Sequence, residues 1–127
     1  MWIHEGVFPF GGGNNNILIH VGQGEAYIRD SILEETLVHE AAHTSLDPLY
    51  ASSTEWIQAQ NTDPTFVSTY AQDFPMREDI AESFVPFLAV EYRSDRITAS
   101  LKNQILEAIP NRIAFFRSLG LDMYPIN

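Results

Sequence analysis

The chain predicts an α+β fold: a small mixed or antiparallel sheet packed on a histidine-bearing helix, followed by a mostly helical second half. Three observations carry this. A compact β-branched run, Ile17–Gly22, sits between glycine- and asparagine-rich turns. Apolar residues recur at helical spacing from Leu33 to Leu46 and again from Met76 to about Asp95. The last third, Ile97 to Leu119, keeps a helical pattern broken at Pro110 and closing at Gly120.

The 127 residues fit one domain, residues 1–127, long enough to bury a core. An apolar fraction of 45% with 12% aromatics is that of a globular chain. The net charge of −10 argues against nucleic acid and against an anionic membrane surface, because no basic stripe is present to meet phosphates. The same charge would favour basic substrates through steering, but an acidic, well-solvated surface is its simpler explanation. With no cysteine, disulfides, thiolate zinc sites and thiol catalysis are excluded. No positively charged leader and no apolar run of about 18 residues appear, so neither a signal peptide nor a membrane span is expected. Localisation stays undetermined; a secreted location would require the chain to be a fragment of an exported precursor.

Taken in order, residues 2–8 form at best a short strand. Gly11-Gly12-Gly13-Asn14-Asn15-Asn16 reads as a loop. Ile17–Gly22 is the first firm strand. Gly22-Gln23-Gly24 then makes a turn, and residues 25–29 pair back or run on as loop. Ser31 followed by Glu34 spells a capping box, with Glu34 and Glu35 suiting the positive end of a helix dipole. That helix runs to about Ser45 or Leu46 and stops before Asp47-Pro48. Residues 53–61 make a short helix capped at Ser53, and residues 66–71 are extended or irregular. The second long helix, Met76 to about Asp95, bends at Pro86, which removes the hydrogen bond to the Glu82 carbonyl.

The first long helix carries His39-Glu40-Ala41-Ala42-His43. Residues four apart on a helix stand one turn above each other, so His39 and His43 can aim two imidazole nitrogens at one divalent ion. Glu40, about 100° round the helix, is placed to serve as general base. Leu33, Leu37, Ala41 and Thr44 trace the buried stripe behind them. A bland pair of solvated histidines is the competing reading.

Catalytic zinc takes three protein ligands and a water. The third would come from His4, His20 or a carboxylate, with one Zn²⁺ expected per chain. Glu78 on the second long helix is the preferred choice, with Glu82 one turn on holding a ligand histidine. Exchange of those two roles is the main rival, and ion pairs with Arg77 or Arg93 are the non-functional one. Asp79 would point to solvent or to the helix N-terminus. Asp47 would hold a histidine by a hydrogen bond or, more simply, serve as a turn residue ahead of Pro48.

His39-Glu40-Ala41-Ala42-His43, then Ser68-Thr69-Tyr70-Ala71, then Glu78-Asp79-Ile80-Ala81-Glu82-Ser83-Phe84 resembles the gluzincin zinc metallopeptidases. Among these it is most similar to the catalytic-domain family of anthrax toxin lethal factor. The likeness extends from about Ile17 to Leu119 and rests on some fifteen residues. It implies a zincin-like fold and a zinc-dependent endopeptidase, with His39, His43 and Glu78 as ligands, Glu40 as base and Glu82 behind the ligands. It further implies that Tyr70 stabilises the oxyanion, where the plain alternative is a packing aromatic. An extended peptide or protein substrate would lie along strand 17–22. Only 38 residues precede His39, fewer than that family's helix-backed sheet occupies, so a minimal or N-terminally truncated domain is expected. The other functional classes are a metal-binding module without turnover and a metal-dependent amidase acting on a small molecule.

Overall fold

A computed structural model describes residues 2–13 and 16–126. The chain is mixed α+β and mostly helical, as expected. Strands β1 (Trp2–His4), β2 (Gly11–Gly13) and β3 (Asn16–His20) form one sheet in the order β1-β3-β2. β1 runs parallel to β3, with His4 opposite His20, and β2 runs antiparallel to it, with Gly11 opposite Leu18. The sheet is therefore mixed. Its central strand is β3, flanked by β2 along residues 16–18 and by β1 along residues 18–20, while Val21 and Gly22 belong to a helix, so residues 17–22 are not the open sheet edge expected. The free edges belong to β1 and β2.

Eight helices follow among the described residues: α1 (Val21–Arg29), α2 (Leu33–Ser45), α3 (Asp47–Tyr50), α4 (Thr54–Thr62), α5 (Thr69–Asp73), α6 (Asp79–Tyr92), α7 (Ala99–Ala108) and α8 (Pro110–Ser118). A 3₁₀ turn, Ser94–Arg96, links α6 to α7. No helix among the described residues is long and apolar enough to cross a membrane.

Several local expectations change. Residues 11–13 pair as a strand rather than looping; residues 14 and 15 of that expected loop lie outside the described residues. Residues 21–29 form α1 instead of a turn and a partner strand. Glycine makes this possible: a Cβ on Gly22 would sit 2.5 Å from the Gly6 carbonyl oxygen, which accepts from the Gln23 amide at 2.9 Å. Ser31 does not cap α2. It takes a left-handed conformation (φ 60°) and ends α1, with its amide on Ile28 O at 3.1 Å and the Ile32 amide on Tyr27 O at 2.9 Å. This is a Schellman closure with serine where glycine is usual. Glu34 pairs with Arg96 at 2.8 Å instead. Pro48 does not stop the chain either; it occupies the first turn of α3, where its missing N–H costs nothing.

α2, α4, α6 and α8 enclose the core. Trp56, Ala81, Ile109 and Phe116 are almost wholly buried, and Phe116 meets Trp56, Phe84 and Phe87 with ring centroids 5.1–5.3 Å apart. Ser53 caps α4 by accepting from the Trp56 amide at 3.2 Å, as the sequence predicts. Against this core lies a buried ionic network the sequence reading did not foresee. Arg112, fully buried, donates to Asp79 at 2.8 Å and to Asp63 at 3.0 Å. Asp79 also accepts from Gln60 at 2.8 Å and Ser83 at 3.2 Å, so of its two expected placements it takes the helix N-terminus and not solvent. Asp63 accepts from the Asn111 and Arg112 amides at 2.6 and 3.0 Å. Arg112 therefore ties the end of α4 to the starts of α6 and α8.

Removing the guanidinium strands two buried carboxylates. Arg112→Met should lower the unfolding free energy by about 3–5 kcal/mol in a urea titration. Arg117→Met, which breaks an exposed pair with Glu91, should change it by under about 1 kcal/mol.

Candidate metal centre

α2 and α6 meet face to face, and that contact builds the site. His39 and His43 stand one turn apart on α2, their rings 4.8 Å apart and nearly perpendicular. Glu78 occupies the N-cap position of α6, its amide bonded to Phe74 O at 2.8 Å, while the next residue, Asp79, is anchored by Arg112. α6 thus begins at Asp79, three residues later than expected, and Glu78 is held at its threshold.

The three side chains converge. His43 Nε2 lies 3.1 Å from His39 Nε2 and 3.1 Å from Glu78 Oε2, and the third edge of the triangle, His39 Nε2 to Glu78 Oε2, is 3.4 Å. Tetrahedral ligands at bonds of about 2.0–2.1 Å stand about 3.3–3.4 Å apart, so the donor set fits a zinc ion in both spacing and chemistry. With both rings neutral, two nitrogen lone pairs and a carboxylate oxygen this close repel one another, and a shared cation would relieve the repulsion.

Carboxylates behind the rings fix which nitrogens face inward. His43 Nδ1 donates to Asp47 Oδ2 at 2.6 Å, and His39 Nδ1 stands 3.4 Å from Glu82 Oε2. A carboxylate can only accept, so Nδ1 carries a proton on His43, and in the neutral ring that leaves the Nε2 lone pair to offer a cation. Asp47 thus orients the His43 ring while also standing in the first turn of α3 ahead of Pro48. Ser68, the N-cap of α5, donates to Glu82 Oε1 at 2.9 Å and so orients that carboxylate in turn. Sequence reading gave Ser68 no such task, although its capping position was the available signal.

These contacts move protonation equilibria in definite directions. Burial pushes the Glu40 carboxyl above the usual range, opposed by the His39 and His43 charges. Burial disfavours the His43 imidazolium, but the Asp47 hydrogen bond and the Asp47, Glu78 and Glu40 charges outweigh it and raise its pKa. Glu82 is lowered by His39, with Ser68 adding to the effect against partial burial.

The cleft over this triangle has a volume of about 470 Å³. Glu40, Tyr70 and Arg77 line it together with Pro9, Phe10 and Gly11. Tyr70 lies on α5, where an irregular stretch was expected, and is 45% exposed. Desolvation and the Glu78 carboxylate hold its phenol above the usual range. Arg77 Nη2 stands 3.8 Å from Glu78 Oε1 and Arg93 bonds to Asp95 at 3.3 Å, so neither arginine draws a glutamate off the histidines. His4 and His20 are not part of the cluster; they face each other across the sheet at 5.8 Å. A larger apolar cavity of about 550 Å³ between α2, α6 and α7 has its rim charges Glu34 and Arg96 already paired, and the convergent donors lie in the smaller cleft.

Comparison with protein-family models, curated proteins and solved structures gives no match to this chain.

Zinc titration against a chromogenic chelator separates the two glutamates. Glu78→Gln should weaken zinc binding by at least about 100-fold, through loss of a charged ligand, and Glu82→Gln by about 10-fold, through loss of ligand orientation. The reverse order would exchange their roles.

Proposed function

We propose that this chain is a zinc-dependent endopeptidase of gluzincin type with a zincin-like arrangement of sheet and active helix. The observation that carries the reading is the convergence of His39, His43 and Glu78 on one point, with Glu40 beside it in an open cleft. His39, His43 and Glu78 would hold Zn²⁺, and Asp47 and Glu82 would keep the imidazoles turned toward it. When bound, the ion supplies a Lewis acid and brings the pKa of a coordinated water to about 7.

The remaining work falls to side chains of this chain. Glu40 would take a proton from the attacking water and deliver it to the leaving nitrogen. A carboxyl raised by burial suits both halves of that transfer, since it gains and loses a proton closer to neutrality than an exposed one. Tyr70 stays protonated over the working range, so its hydroxyl would donate to the scissile oxygen as charge develops there. An extended peptide would pair with the free edge of β2, whose Gly11 lines the cleft, in place of the central strand β3.

Two variants test this against a peptide library, with zinc content measured in parallel. Glu40→Gln should keep about one zinc per chain and lose at least about 1,000-fold in kcat/KM. Tyr70→Phe should lose about 100- to 1,000-fold, mainly in kcat, also with zinc retained. Equal cleavage by wild type and Glu40→Gln would trace the activity to a contaminant. Zinc binding without any cleavage would favour a binding module instead.

A further inference from the structure

One cation stands at the cleft, and neither the metal site nor the proton transfers use it. The chain has seven lysines and arginines against seventeen acids. Most are committed elsewhere: Arg93 to Asp95, Arg96 to Glu34, Arg112 inside the core, Arg117 to Glu91 and Lys102 to Ser94. Among the described residues, Arg77 is the only lysine or arginine lining the metal cleft.

Its position is built. The guanidinium lies over the Phe74 ring at 4.8 Å, and Phe74 stacks edge-on against Tyr70 at 5.4 Å. Tyr70, Phe74 and Arg77 thus form a continuous strip along one lip of the cleft. The guanidinium does not complete a hydrogen bond to Glu78, whose Oε1 is 3.8 Å away and whose Oε2 faces the histidines. Its side chain is 69% exposed, so most of its five donors remain available. A planar fork of donors beside the reacting position matches a carboxylate in shape and charge. Of the other titratable side chains lining the cleft, Glu40, Asp47 and Glu78 are acidic and His39 and His43 face the metal position, so away from that position Arg77 is the cationic group that an anion meets.

Resting on the peptidase reading above, we propose that Arg77 reads a carboxylate carried by the substrate beside the scissile bond. The site then takes peptides with an acidic side chain or a chain-terminal carboxylate at that place. The net charge of −10 works against long-range attraction of such peptides, so the preference is short-ranged and appears in binding strength more than in association rate.

The test uses the zinc-loaded Glu40→Gln chain for binding and the wild type for cleavage. Starting from a neutral, C-terminally amidated peptide that the wild type cleaves, glutamine is replaced by glutamate one position at a time. In a separate arm the terminal amide becomes a free carboxylate. One such change should lower Kd by about five- to tenfold, and the arm in which it occurs identifies the source of the carboxylate. Adding Arg77→Gln should collapse that gain to under about twofold, while Arg77→Lys keeps part of it. Zinc content, measured alongside, should stay near one per chain in each variant, which separates this loss from damage to Glu78. A gain that survives Arg77→Gln, or no gain at any position while neutral peptides are still cleaved, overturns this inference alone. If the zinc-loaded wild type cleaves nothing and the Glu40→Gln chain binds no peptide, the peptidase reading falls and this inference with it.

Discussion

The geometry of the cleft depends on a buried arginine that never touches it. Arg112 is enclosed between Asp63 and Asp79, with Phe66 stacked against its guanidinium at 4.6 Å. Apolar side chains of similar volume would hold three helices together about as well, since desolvating three charges offsets most of their attraction. What they would not do is specify where α6 begins. A carboxylate pinned at the first residue of α6 fixes the phase of that helix, and Glu78 is the residue immediately before it. A donor that must meet two nitrogens to within tenths of an ångström cannot hang from a fraying helix end.

On the α2 side the same requirement is met by hydrogen bonds. A free imidazole presents either nitrogen, and a helix register alone brings two rings near each other without choosing. Asp47 and Glu82 make the choice, each standing at an Nδ1 and leaving the Nε2 atoms 3.1 Å apart. Asp47 reaches His43 because the chain continues into α3 past Leu46 and keeps a helical offset of four residues across the junction. Pro48 permits that continuation, because a helix start needs no amide hydrogen there. Ser68 extends the chain of contacts one step further, through Glu82 to His39, so α5 is tied to the histidine face of α2 as well.

Much of the centre was legible in the sequence because it obeys short-range rules. His39 and His43 are related by one helical turn, Glu78 and Glu82 by another, and the Ser53 cap and the Pro110 break are local signals that the structure follows. The misreadings share a different origin. Ser31 looks like a helix start until α1 is seen to end there, and α1 itself hides behind two glycines that are present for close packing, Gly22 against Gly6 and Gly24 against Phe10. β2 is three glycines whose strand conformation comes from pairing with β3, which no propensity scale records. Arg112 sits 33 residues from Asp79, and a lone arginine in a helix gives no hint of burial. Those contacts are set by tertiary structure, and sequence patterns of period two or 3.6 do not report them.

The division of labour between the two glutamates follows from where each leaves α6. Glu78 stands before the first helical turn, with backbone angles of −116° and −22°, so its side chain leaves the axis end-on toward the gap between the rings. Glu82 is one turn inside, and from there a side chain can only project sideways along the flank of α2. It accordingly meets the outer nitrogen of His39, while Glu78 meets the inner nitrogens of both histidines. Exchanging them would require α6 to slide by a turn, about 5.4 Å. Such a slide would pull Asp79 away from Arg112 and Gln60 and leave buried charges uncompensated. The core network and the placement of Glu78 between the two imidazoles are therefore one constraint seen from two sides.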